Sequence, residues 1–236
     1  MERLDKVIAN MGKASRREVK EMVRRGRISV DGVAAVSPEQ KVDPEATRIS
    51  IDGVELKYEL FTYILLHKPA GLLSATEDFR EKTVLDLLPQ ELRKRDLAPV
   101  GRLDKDTEGL LLLTNDGELN HRLTSPKYHI DKVYYAEVEG ALEPSDEERF
   151  AAGIELSDFT CLPARLEILT ERTCLVTVQE GKFHQVKRML AACGKPVIYL
   201  KRVSMGELRL EKTLPVGAYR LLTPQEVVFL KEKVGL

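Results

Sequence analysis

An α+β chain of two domains is what the sequence predicts, and three observations predict it. Two helical patterns and short strands open the chain, and the positive charge is concentrated there. Residues 1–30 hold nine Lys and Arg against four Asp and Glu, a net of +5, whereas residues 31–58 hold three against six, a net of −3. From residue 61 onward, many strand-like runs are mixed with a few helical ones, without the β-α-β alternation of a parallel sheet. Between these regions KYELF, residues 57–61, reads as a linker and gives domains 1–58 and 59–236.

In the first domain, Leu4, Val7, Ile8 and Met11 fall at i, i+3, i+4 and i+7, one apolar face of a short helix that Gly12 ends. Ser15 followed by Glu18 is a capping box. It starts a second helix through Arg25, with Val19, Met22 and Val23 inward and Gly26 as the stop. Residues 28–30 before Asp31-Gly32, and residues 49–51 before Asp52-Gly53, read as strands entering tight turns. In the second domain, strands are expected at 61–67, 97–101, 110–114, 132–140, 162–169, 173–178 and 197–203. Helices are expected at 84–88, 118–124, 145–153, 184–192 and 224–234. The run 110–113 is four leucines, the pattern of a buried strand, and the sheet as a whole is expected to be mixed and mainly antiparallel.

Several function classes fall away. A net charge of −1 says nothing about a polyanionic partner, so only local charge can. Cys161, Cys174 and Cys193 form no CxxC pair, which removes zinc-ribbon and thioredoxin-like readings and fits a reducing, cytoplasmic setting. No signal peptide is expected, because MERLDKVIANMGK has no long apolar core and no small-residue cleavage site, and no membrane span, because the chain has no apolar run of about 18 residues. Asp104 and Asp106 with His121, His129 and His184 match no ligand spacing, so no metal is expected. No G-x-S-x-G elbow marks a nucleophilic serine, and Cys193 ends an apolar helical run. Asp104 and Glu108, if on one strand, stand about 13 Å apart, too far for a glycosidase pair. Phosphate-cradling glycine loops are absent.

What remains is a basic helix and three separated pieces: the Asp104 segment, the Lys132–Tyr134 strand, and EGKFHQVKRM at 180–189. Each admits a plain reading, with Asp104 as a turn residue, Tyr134 as a strand aromatic, Lys187 as a surface charge and the basic helix as a solvated face.

RLDKVIANMGKASRREVKEMVRRGRISVDG resembles the S4 RNA-binding domain over roughly residues 2–50. GRLDKDTEGLLLLTNDG (101–117), HKPAGLLSATED (67–78), SPKYHIDKVYYAEVEG (125–140) and EGKFHQVKRMLAACG (180–194) resemble, in this order, the RsuA-like pseudouridine synthases. Lys182 and Phe183 depart from the residues usual there, Arg and Tyr. The resemblance implies isomerisation of uridine in RNA, with no cofactor or metal. Asp104 is then the catalytic carboxylate at the ribose. Lys187 is its cationic partner, and Tyr134 stacks on the uracil with its hydroxyl near the C5 proton. Arg102, Arg188, His184, Gln185 and Lys132 are expected to bind substrate. If Arg102 and Asp104 lie on a strand, both project to one face, and the guanidinium can fill the space a flipped uridine leaves. Arg3, Lys6, Lys13, Arg16, Arg17, Lys20, Arg24, Arg25 and Arg27 are expected to contact RNA phosphates. The expected partner is ribosomal RNA, closest to the branch acting on 16S rRNA, naked or in a small-subunit assembly intermediate, with the protein a monomer. The rivals are a 23S rRNA enzyme of the same family, a transfer-RNA synthase, and a non-catalytic assembly factor that keeps the fold.

Overall fold

A computed structural model describes residues 1–44, 46–56, 61–93 and 95–236. Apart from Phe61, the expected linker lies outside the described residues, as does the expected boundary at 58/59. The chain forms two compact units, Met1–Thr62 with Leu88–Leu97, and Tyr63–Leu87 with Ala98–Leu236. Residues 88–97, which the sequence places with the second domain, therefore belong to the first unit. Close packing explains this. Arg95 Nε donates to the Met11 carbonyl at 3.1 Å. A Cβ on Gly12 (φ +68°) would stand 2.6 Å from the Glu91 carbonyl oxygen.

The first unit packs helices Leu4–Asn10 and Arg16–Arg24 through Leu4, Val7, Ile8, Met11 and Val19 onto Ile28 and Ile49. The capping box forms, with Ser15 N–H donating to Glu18 Oε2 at 2.6 Å and Glu18 N–H to Ser15 Oγ at 3.3 Å. Strands run in the order Val33–Ala34, Ile28–Val30, Ile49–Ile51, Val54–Leu56, all antiparallel. Asp31-Gly32 and Asp52-Gly53 make the two turns with positive φ at both residues, the twist that suits tight hairpins.

The second unit is a nine-stranded sheet. Its main path runs Arg165–Thr170, Thr173–Val178, Lys132–Val138, Val197–Met205, Glu108–Thr114, Tyr63–Lys68, Tyr219–Leu221. Of the paired strands among the described residues, Val197–Met205 and Glu108–Thr114 run parallel and the others antiparallel. Leu110, Leu111, Leu112 and Leu113 are fully buried at the centre. Both faces of that strand are covered, which is why its apolar run does not alternate. The expected helix at 84–88 is a 3-10 turn, Val84–Leu87. Short strands Leu208–Arg209 and Tyr219–Leu221 have no counterpart in the sequence reading, because two or three residues carry no periodicity.

Gly109 is the hinge of the parallel pairing. An added Cβ there, at φ +112°, would lie 2.2 Å from the Arg202 carbonyl oxygen. Gly109→Ala is expected to lower stability by about 3 kcal/mol or more. A urea midpoint equal to that of the wild type would contradict it.

Candidate active site

Three segments converge on one cavity of about 470 Å³ in the second unit. An adjoining recess shares Arg102, Asp104, Tyr134 and His184 and adds Lys187 and the apolar Val178 and Leu200.

The first segment brings Arg102 and Asp104. Neither is on a strand, contrary to the expectation; residues 102–107 are coil and turn, and the strand begins at Glu108. Both nevertheless line the same cavity, as does Leu103, which is 5% exposed. Two side chains to which the sequence reading gave no role hold this loop. Ser74 Oγ donates to the Leu103 carbonyl at 2.8 Å and accepts from its N–H at 3.1 Å. Lys68, fully buried, directs its ammonium at the carbonyls of Pro69, Asp104, Lys105 and Thr107, at 2.9–3.2 Å. A lysine ending the apolar run YILLHK was the available signal, since a buried ammonium must find acceptors.

Burial pulls Lys68 down to about 8, with Asp106, Asp104 and Glu108 opposing. Burial, then Arg202, pulls Lys132 to about 8 as well. Both are charged below that value and lose a proton above it. The unfolded chain therefore binds more protons between about pH 8 and pH 10, and the stability cost of burying the charges eases as pH rises through that window. Activity should move the other way, because a neutral Lys68 has fewer hydrogens for the loop carbonyls. A single-turnover rate that falls above about pH 8 is expected; a rate flat to pH 10 would contradict the positioning role.

The second segment is the strand Lys132–Val138, on which Tyr134 faces Val176 on one side and Arg202 on the other. Lys132, 6% exposed, donates to the Ile130 and Gln179 carbonyls at 3.1 and 3.3 Å.

The third segment leaves the strand Thr173–Val178 and turns at His184, φ +48°, into the helix Gln185–Ala192. Lys187 Nζ stands 3.1 Å from Asp104 Oδ2 and 2.6 Å from Asp106 Oδ1. Burial works against its charge, but the hydrogen bonds to Asp106 and Asp104 outweigh it and hold its pKa above the ordinary lysine value. The same ammonium holds the Asp106 carboxyl below its ordinary range. His184 Nε2 lies 3.5 Å from Asp104 Oδ1, and Phe183 stacks on the His184 ring.

Two expected substrate contacts are engaged elsewhere. Arg188 pairs with Asp158 and stacks over Phe159, and it does not line the cavity. The distance is set by its place one residue past Lys187, about 100° around the helix. Gln185 does line the recess, but its amide is held within the protein. It donates to Glu180 Oε2 at 3.0 Å and accepts from Lys182 N–H at 3.1 Å, clamping the turn.

In the first unit, ion pairs occupy five of the expected cations: Arg3 with Asp5 and Glu39, Lys6 with Glu2, Arg24 and Arg25 with Glu21, and Arg27 with Asp52. Among the described residues, Lys13, Arg16, Arg17 and Lys20 are exposed and make no ion pair.

This arrangement sets a carboxylate against a matched cation, beside a tyrosine ring, in a cavity with an apolar recess. A family model described as RNA pseudouridylate synthase matches residues 62–192, and an S4 domain model matches residues 2–47. An uncharacterised RNA pseudouridine synthase of Bacillus subtilis is 44% identical, covering 98% of each chain. The ribosomal small subunit pseudouridine synthase A of Vibrio cholerae is 41% identical, over 95% of this chain and 97% of that one. The ribosomal large subunit pseudouridine synthase B of Bacillus subtilis is 39% identical, over 98% and 96%. A pseudouridylate synthase crystal structure superposes with a TM-score of 0.69 at 35% identity, covering 98% of this chain and all of that one.

Proposed function

The chain belongs to the RNA pseudouridylate synthase family and carries an N-terminal S4 domain, and from that premise we propose that it isomerises one uridine of 16S rRNA, with Asp104 as the catalytic carboxylate. The observation that carries the catalytic assignment is the Asp104–Lys187 pair, 3.1 Å apart on the wall of a cavity that Tyr134 also lines. A carboxylate beside the ribose can attack C1′ or take the C2′ proton. Either way the C1′–N1 bond breaks, the uracil turns against the Tyr134 ring, and C5 joins C1′. The Tyr134 hydroxyl relays the C5 proton, accepting it as its own proton passes on toward N1 or solvent. Arg102, exposed at the cavity mouth, fills the stack the nucleotide leaves. The small-subunit substrate is supported by the HKPAGLLSATED and SPKYHIDKVYYAEVEG stretches and by relatives with that activity, such as the Vibrio cholerae enzyme.

The test incubates the full chain with unmodified 16S and 23S transcripts and partly assembled small subunits, then maps pseudouridine by carbodiimide-blocked primer extension. One new stop in 16S rRNA is expected. A stop in 23S rRNA instead would move the substrate to that of the Bacillus subtilis large-subunit relative.

RNA docking is assigned to the free cations of the first unit. Arg16→Ala with Arg17→Ala and Lys20→Ala is expected to make the slope of log K against log salt shallower by about 0.7–0.9 for each phosphate no longer neutralised. A titration with an unchanged slope would remove these residues from the RNA interface.

A further inference from the structure

The floor of the cavity holds two positive charges that the reaction as described does not use. Arg202 is 1% exposed and Lys132 6% exposed, and both line the cavity. Among the described residues neither forms an ion pair with a carboxylate. Arg202 Nε donates to the Leu110 carbonyl at 2.7 Å, but its Nη2 is buried with no hydrogen-bond partner. Lys132 donates to two carbonyls, which leaves one ammonium hydrogen unassigned. A buried guanidinium nitrogen without an acceptor carries the full desolvation penalty of that group, and two like charges side by side add repulsion. An electron-rich oxygen in the cavity that both residues line would offset the cost of holding two like charges there.

Position selects which oxygen. Arg202 is the direct cross-strand neighbour of Tyr134, with the two Cβ atoms about 5 Å apart on one face of the sheet. The exposed Arg102 and Lys182 also line the cavity and are the cations open to RNA phosphates. What lies against Tyr134 in the reading above is the uracil ring. We propose that Arg202, assisted by Lys132, contacts the uracil carbonyl oxygens and holds the negative charge that the ring carries while it is detached from C1′. This inference rests on the assignment of Asp104 and Tyr134 to the reacting uridine.

The step balances. When C1′–N1 breaks, its electron pair leaves with N1, and the uracil becomes an anion delocalised onto its carbonyl oxygens. Asp104 meets the deficit at the ribose, either by bonding to C1′ or by taking the C2′ proton so that the C–H pair closes a double bond. On return, C5 supplies the pair for the new C1′–C5 bond. The Asp104 bond breaks, or the C2′ proton goes back. The C5 proton is then lost to base and N1 gains one. No charge remains on the ring, and Arg202 releases a neutral product.

The test compares wild type, Arg202→Met, Arg202→Lys and Asp104→Asn in single turnover at saturating enzyme. The RNA carries uridine or 5-fluorouridine at the target. Loss of the original nucleoside from a nuclease digest reads glycosidic cleavage alone. Arg202→Met is expected to cut the rate on uridine about 100-fold or more, with Kd and its salt slope unchanged. The cut should be about tenfold smaller with 5-fluorouridine, whose ring leaves as a more stable anion. Arg202→Lys should recover part of the rate. Arg202→Met should also melt cooperatively, at or above the wild-type temperature, since it removes an unpaired buried charge. Were it to misfold, the Arg202→Lys comparison of the two substrates gives the same reading. A loss equal for both substrates would make Arg202 structural. A loss confined to Kd, with a salt slope shallower by about one, would make it a phosphate contact. Either result overturns the proposal. Full activity of Asp104→Asn would instead overturn the site assignment beneath it.

Discussion

Asp104→Asn is expected to abolish pseudouridine formation while RNA binding persists. The substitution keeps the volume of the side chain and the loop that carries it, because that loop is held through backbone atoms. Lys68 and Ser74 bind the carbonyls of Leu103, Asp104, Lys105 and Thr107, not the Asp104 side chain. What is lost is the carboxylate itself. A neutral amide can neither bond to C1′ nor take a C2′ proton. The expected fall is about 10⁴-fold or more, the scale seen when a reacting side chain is removed from a preorganised site. RNA affinity should stay within about twofold, because phosphate contacts carry most of it. Turnover within tenfold of wild type would sink the assignment. Equal losses of rate and affinity would point to a damaged fold.

Lys187→Met has the second-largest expected effect. Its side chain reaches Asp104 at 3.1 Å and Asp106 at 2.6 Å from the helix Gln185–Ala192, with about a fifth of its surface in water. Removing it leaves two carboxylates without their shared ammonium, and the reacting one free to turn. A single-turnover loss of about 10²–10³-fold is expected, with RNA affinity little changed. Lys187→Arg should keep the charge and part of the rate. The sign of the pH effect separates this lysine from the other two. Its folded pKa is raised, so the stability it contributes is complete below the ordinary lysine value, about 10.4, and is lost only as pH rises through the higher folded value. A rate limb near pH 8 therefore belongs to Lys68 or Lys132. If Lys187→Met left the rate unchanged, Lys187 would have no catalytic role.

Local patterns carried much of the fold. The Ser15–Glu18 capping box, the Asp-Gly turns at 31–32 and 52–53, and the strand Thr173–Val178 depend on neighbours in sequence, and each was legible there. The Asp104–Lys187 pairing was legible only through a family resemblance, because 83 positions separate the two residues. Arg102 and Asp104 line one cavity, although their backbone is coil and not strand. Arg188, expected from the resemblance to bind substrate, lies one step around the helix from Lys187 and is paired with Asp158.

By itself, the sequence determined most of the longer elements, the four-leucine centre of the sheet and the basic helix near its start, and through a family resemblance it pointed to the residues for chemistry at a ribose. Periodicity, turn preference and side-chain chemistry are local properties, and local properties can be read from a string. Only the tertiary structure decided which charges are paired and which are free. It set Arg24 and Arg25 on Glu21 and left Arg16 and Arg17 open. It brought Lys68 under the Asp104 loop, and it left Arg202 buried beside Tyr134 without an acceptor for one nitrogen. The physical reason is that a charge is defined by its surroundings. Burial, partners and distance arise only when strands far apart in sequence lie side by side, as Tyr134 and Arg202 do across one pair of strands.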